Sequence, residues 1–397
     1  MVLLTIFSVS LILRVLLSFL PSFEVDFGGW IAWAERLANL GPANFYSKEV
    51  WTNYLPGYLY VLWFFGEIRN LIQIPADSVI YEVILKLPAN LADLGIGFLI
   101  FKILVKKVDK KIALPATIFY LFNPALIFNS SIWGHMDSVF TFFLILGAYF
   151  LTEGKKVFAS WAMIAIALLI KPQAIAAMPV FAFGHLLEFG LKKTLVGAIF
   201  GLILIFGASL PFFIKNPFWG FPQLFFQMAA DYPYTSLFAF NFWWIIGGWR
   251  NDLTTGFLFS NQIWGTLLWI VSQVSILFWL KKNYSKENFY TACAISLLAF
   301  FVLPTRVHER YLFPFFAFAT IVATNFGRIF WVILGVLTFV HFLNLYFVYT
   351  YYTPNFLKIE SLIQLINDFS IALAAITVFI FSLMIGFLFN KRWHLKT

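Results

Sequence analysis

Apolar residues run in long blocks along nearly the whole chain, separated by short polar stretches that hold most of the Lys and Arg. Blocks long enough to cross a hydrocarbon core of ~30 Å at ~1.5 Å per residue predict transmembrane helices. We read about twelve, at 2–20, 80–104, 112–130, 137–152, 157–170, 173–189, 194–213, 262–280, 288–304, 311–326, 329–350 and 370–390. The polar positions between them are uneven. Some breaks are short and basic, whereas 21–79 and 214–261 are long and chemically mixed.

The run 54–74 is also apolar, and charge decides its placement. If it crossed, Lys102, Lys106, Lys107, Lys110 and Lys111 would face outward, and every later Lys pair would follow. Read as an interfacial or re-entrant segment, it leaves Lys155-Lys156, Lys192-Lys193, Lys281-Lys282, Arg328 and Lys391-Arg392 all inside, as the positive-inside bias requires. The inner side then holds 16 Lys and Arg against Asp109, Glu153, Glu188 and Glu287, while the other 11 cations accompany 14 carboxylates. The net charge of +9 is therefore a topology signal, and nucleic acid is not an expected partner.

Composition agrees. The 397 residues are 61% apolar and 11% charged, with mean hydropathy +0.86. A soluble domain carries about a quarter charged residues, which excludes a soluble enzyme. Aromatic residues at 21% fit interfacial belts. The single cysteine, Cys293, excludes an internal disulfide framework and a thiolate metal cage. The first apolar block has no A-x-A-like cleavage site and is expected to be retained. The expected fold is an all-α, polytopic transmembrane helical bundle of a single domain, 1–397, with both termini cytoplasmic. Its two long external loops would be 21–79, with membrane-parallel helices, and 214–261.

Chemistry concentrates on the predicted outer face. From Phe23 onward, Trp30, Ala34, Leu37 and Ala38 recur at helical spacing, and Gly41-Pro42 ends the pattern. This predicts an interfacial helix with Asp26 at its N-terminal edge, either as an N-cap or as a general base at the membrane surface. In Trp133-Gly134-His135-Met136-Asp137-Ser138, Asp137 is placed to cap the next helix, and His135 to orient a sugar or lie in the interface. Lys171-Pro172-Gln173 places a cation below the outer surface after a short helix, where it wants an anion. In Thr305-Arg306-Val307-His308-Glu309-Arg310-Tyr311, either Glu309 pairs locally with an Arg in solvent, or Arg306 and Arg310 share a helix face and present planar donors to a phosphate. Arg14, Lys86 and Asp93 lie inside spans, and the spacing of Lys86 and Asp93 admits an ion pair or a binding role. Most rings of 214–261 are expected in the interfacial belt. No P-loop, dinucleotide fingerprint, HExxH or paired metal-ligand spacing occurs.

These segments resemble the GT-C superfamily of integral-membrane glycosyltransferases that use polyprenyl-phosphate sugars, especially prokaryotic relatives of the mannosyl- and glucosyltransferases of lipid-linked glycan assembly. The resemblance rests on the acidic stretch around Asp26 with Asn53-Tyr54-Leu55-Pro56 downstream; on the Trp133–Ser138 and Lys171–Gln173 runs; and on His308-Glu309-Arg310-Tyr311-Leu312-Phe313-Pro314. Ser236-Leu237-Phe238-Ala239-Phe240-Asn241-Phe242-Trp243 is similar to a Ser-x-Asn-Ala-x-Asn-x-Trp run, with Phe238 in place of the first Asn. The resemblance implies a multi-pass cell-membrane enzyme with an extracytoplasmic active site and inverting transfer of mannose or glucose to a saccharide, lipid-linked or protein acceptor. It further implies Asp26 as general base and Lys171, Arg306, His308 and Arg310 at the donor phosphate. Glu24, Tyr54, His135, Asp137, Gln173, Asn241, Glu309 and Tyr311 are expected around the sugar and acceptor. No nucleotide is expected, and a divalent cation stays open. The competing readings are a secondary transporter or lipid flippase, and an inactive scaffold of an envelope-glycan complex.

Overall fold

A computed structural model describes residues 1–48, 50–353 and 356–389. Its helices are α1 (Val2–Leu17), α2 (Glu24–Leu40), α3 (Pro56–Ile72), α4 (Val79–Leu104), α5 (Lys110–Leu121), α6 (Pro124–Ile127), α7 (Asp137–Thr152) and α8 (Val157–Ile170). They continue as α9 (Met178–Ser209), α10 (Gly220–Ala230), α11 (Phe242–Ile245), α12 (Asn261–Lys282), α13 (Lys286–Val302), α14 (Phe313–Phe326), α15 (Arg328–Tyr352) and α16 (Glu360–Phe389). Among the described residues there is no strand beyond isolated bridges. The chain divides into two compact units: residues 1–96, 129–175 and 189–231 form the first, and 97–128, 176–188 and 232–397 the second.

Among the described residues, five helical stretches are long and apolar enough to cross a membrane, or six if the bent pair Lys110–Leu121 and Pro124–Trp133 counts as one. The difference from the expected twelve is one of length. Val157–Ile170 has 14 residues, about 21 Å of helix against ~30 Å of hydrocarbon, and Val2–Ser18 and Asp137–Thr152 are also short. The expected spans 173–189 and 194–213 fall in one stretch, Pro172–Phe212. Within it Gly190, at φ 76°, breaks the helix just before Lys192-Lys193. The basic pair Lys391-Arg392 lies outside the described residues.

In the first unit α2 follows the predicted pattern. Trp30, Trp33, Ala34 and Leu37 are buried, and Gly41 at φ 69° ends the helix. The 54–74 run forms α3, packed against α2 and α8. Gly66 meets the Ala34 carbonyl and Gly57 the Leu169 main chain, and a Cβ at either would collide with backbone. The intramembrane charges are satisfied within this unit. Arg14 Nη1 donates to Asp93 Oδ2 at 2.7 Å, with both side chains fully buried. Lys86 does not pair with Asp93: its Nζ donates to the Ser18 and Leu20 carbonyls at 3.0 and 2.7 Å, closing the C-terminal end of α1. Asn90 donates to Ser18 Oγ and accepts from Ser131 Oγ, tying α4 to the 129–138 segment.

In the second unit α13 and α14 are almost wholly buried. Asn123 caps α6 and donates to Thr338 of α15 at 2.8 Å. Lys107 pairs with Glu287 at 2.9 Å, between two segments that charge assigns to the inner face.

Removing one member of a buried ion pair leaves the other uncompensated, at about 3–5 kcal/mol, whereas replacing both with apolar residues is often tolerated. Arg14→Met and Asp93→Leu should each lower the detergent melting temperature strongly, and the double variant should recover most of the loss. Simple additivity of the two losses would contradict the pairing.

Candidate functional site

In the first unit, residues distant in sequence gather around Asp26. Phe23 begins the α2 turn; its ring stacks on Trp133 at 4.2 Å, and its N–H donates to the Trp133 carbonyl at 3.2 Å. That clamp aims the indole at α2, and Trp133 Nε1 donates to Asp26 Oδ2 at 2.9 Å. Asp26 is therefore not an N-cap: Phe23 holds that position, and Asp26 lies in the first turn with its side chain 19% exposed. The helix N-terminus favours its charge.

Gly134 follows Trp133 at φ 85°, where a Cβ would strike the Phe27 ring and the Lys86 stem. That turn delivers His135, whose Nδ1 lies 2.9 Å from Asp137 Oδ2 and whose Nε2 lies 3.9 Å from Asp26 Oδ2 and 3.4 Å from the Tyr54 hydroxyl. Asp137 is not an N-cap either. It is fully buried at the start of α7, accepts from Asn129 Nδ2 at 3.2 Å and is ion-paired with Lys171. The anion that the sunken Lys171 wants is thus Asp137. Lys171 is only 5% exposed. Gln173 sits in the 3₁₀ turn after it, and Glu24 is exposed at the head of α2.

In the second unit the junction of α13 and α14 also differs from expectation. Arg306 and Arg310 do not share a helix face: Arg306 is at φ 62° in a bend, and the 3₁₀ helix Glu309–Leu312 starts only afterwards. The Arg306 guanidinium grips Asp252 with two bonds, of 2.8 and 3.1 Å, and Asp252, fully buried, also accepts from Thr305 Oγ1. Glu309 is buried rather than solvated, and accepts from Arg310 Nη1 at 2.8 Å. His308 Nδ1 lies 3.8 Å from the second Glu309 oxygen, and Tyr311 and Tyr232 flank the imidazole. Burial raises the Glu309 pKa, but the Arg310 charge and the adjacent His308 outweigh it and bring it down to about 2.

Asn241 is occupied structurally. Its Oδ1 accepts from Trp243 and Trp244 N–H, capping α11, and its Nδ2 donates to the Phe301 carbonyl. The neighbouring Phe238 is at φ 61°, a conformation Asn accepts far more readily than Phe. Here the ring is held among Trp244, Trp249, Phe347, Tyr351 and Tyr352, and Asn344 binds the Phe238 carbonyl and Phe240 N–H.

Asp252, Asn344 and Asn129 escaped the sequence reading, as did the donor role of Trp133. Asn344 had a signal, a polar side chain inside the apolar run 329–350. Asp252 had one only in hindsight, as a carboxylate in a segment dominated by rings. Among the described residues no group of three or more His, Cys, Asp or Glu could hold a metal ion. Around Asp137 the Lys171 ammonium is a poor neighbour for a second cation. Compared with known protein families and with curated proteins, the chain matches none.

The depressed Glu309 pKa gives stability that is complete above pH ~4.5 and lost as pH falls through about 2, worth about 3 kcal/mol in all. Acid titration of unfolding should show this slope in the wild-type protein and lose it in Glu309→Gln. Identical acid profiles would contradict the buried pairing.

Proposed function

We propose that the protein is an inverting membrane glycosyltransferase that moves a hexose, mannose or glucose, from a polyprenyl-phosphate donor to an acceptor hydroxyl on the extracytoplasmic side of the cell membrane. One observation carries the reading. A partly exposed carboxylate at a helix N-terminus is fixed by an indole N–H, beside an imidazole itself set against a charge-neutralised aspartate. Such an arrangement suits a general base. The motifs that resemble GT-C enzymes supply the substrate class.

In the proposed reaction the acceptor oxygen attacks the anomeric carbon as its proton passes to Asp26. The bond from that carbon to the phosphate oxygen breaks, and the electron pair leaves on the lipid phosphate. Tyr54 and His135 stand where an acceptor hydroxyl reaching Asp26 would meet them. Asp137 is compensated by Lys171 and is therefore a positioning residue rather than a second base or nucleophile. Among the expected phosphate ligands, Lys171 and Arg306 already serve buried carboxylates. In the second unit Arg310 serves the buried Glu309 in the same way, with His308 and Tyr311 beside it.

A transporter reading draws its support from charges in the membrane interior, and here Arg14, Asp93 and Lys86 are consumed by one another and by the end of α1. No observation favours the inactive scaffold.

The test incubates purified protein with radiolabelled polyprenyl-phosphate mannose or glucose and saccharide, lipid-linked and peptide acceptors, with and without a divalent cation. Transfer is expected from one donor, and Asp26→Asn should lower it by about 10²–10⁴-fold without reducing insertion or melting temperature. An unimpaired Asp26→Asn, or no transfer from either donor by folded protein, would overturn the proposal.

A further inference from the structure

Away from Asp26, the first unit contains an open groove of about 940 Å³ between the 43–52 segment and the 212–227 segment. Charge assigns both segments to the outer face. The volume is near the upper end of small-molecule sites, roughly 300–1,000 Å³.

Its walls are built. Arg36 of α2 donates to the Asn44 and Phe45 carbonyls, both at 3.0 Å, and to Ser47 Oγ at 3.2 Å, fixing the first wall to the helix that carries Asp26. Phe45 is buried against Phe212, and the Tyr46 ring stacks on Phe213 at 5.0 Å and 8°. Gly220 admits the Phe213 ring, which a Cβ would displace. The Tyr46 hydroxyl donates to the Tyr54 carbonyl at 2.7 Å, and the Tyr54 hydroxyl faces His135. Groove and carboxylate thus share a frame.

The lining is amide and aromatic. Gln223 and Gln227 lie one turn apart on α10 and are exposed, Asn216 donates to the Gln223 carbonyl oxygen at 3.3 Å, and Asn44 is exposed opposite them. Trp51 is 62% exposed on the same groove, and Lys48 and Lys215 stand at its edge. Amides donate and accept side by side, as vicinal hydroxyls do, and an indole face receives the C–H face of a pyranose. An apolar ligand would leave those amides unmatched.

We propose that this groove binds a saccharide chain through sugar residues remote from the one that reacts. That the chain is the acceptor rests on the transferase reading; that the groove binds saccharide does not. Rim lysines add attraction for a uronate without being required for a neutral sugar.

The test is direct binding, by calorimetry, to protein in nanodiscs. The probes are linear mannose and glucose hexasaccharides, a uronic-acid hexamer, and glycerol phosphate as the lipid-headgroup control. Saturable binding of at least one oligosaccharide is expected. It should weaken at least tenfold in Trp51→Ala and in the Gln223→Ala/Gln227→Ala double variant, all at exposed positions and with unchanged melting temperature. Asp26→Asn should bind as the wild type does, even where it abolishes transfer, so the groove and the transfer reaction fail separately. Binding of no oligosaccharide, binding indifferent to Trp51 and the two glutamines, or a preference for glycerol phosphate that depends on Lys48 and Lys215 would each overturn the proposal.

Discussion

A carboxylate buried among apolar helices must have a cation, and the pair Asp137–Lys171 meets that demand where the first unit's polar chemistry begins. Asp137 sets His135, His135 backs Asp26, and the Trp133 that precedes the Gly134 turn holds Asp26 from the other side. Without the ammonium, Asp137 would be an uncompensated charge and His135 would lose its reference point. The same logic recurs at Asp252 with Arg306 and at Glu309 with Arg310. Each of these buried acids has a resident base.

That the chain is helical and rich in long apolar helices was legible, because apolar blocks in hydrocarbon must satisfy their backbone internally. The α2 face and its end at Gly41 agree with the pattern read from residues 21–79. The number of long spans was not legible. Apolar composition reports what a residue tolerates, whereas crossing also needs length, and Val157–Ile170 has only 14 residues.

Around Asp26, the sequence singled out Asp26, His135, Asp137 and Lys171 but not the bonds they make. A helix cap was one open reading of both Asp26 and Asp137, because an acidic residue before an apolar run is the ordinary signature of a cap. Only the fold shows Trp133 and Lys171 arriving from elsewhere in the chain. Likewise the spacing of Arg306 and Arg310 suggested a common face. The left-handed conformation at Arg306 and the buried Asp252 send the first guanidinium elsewhere. Such pairings join residues tens of positions apart, and local periodicity carries no record of them.

The central claim is that one carboxylate, Asp26, serves as base while Asp137 is held neutralised and out of the reaction. A lone base implies a single displacement at the anomeric carbon. The most direct measurement is the anomeric configuration of the newly formed linkage, read by NMR and compared with that of the polyprenyl-phosphate donor. The account predicts inversion, with no sugar attached to the protein. Retention of configuration, or a hexose trapped covalently on Asp26, would contradict it.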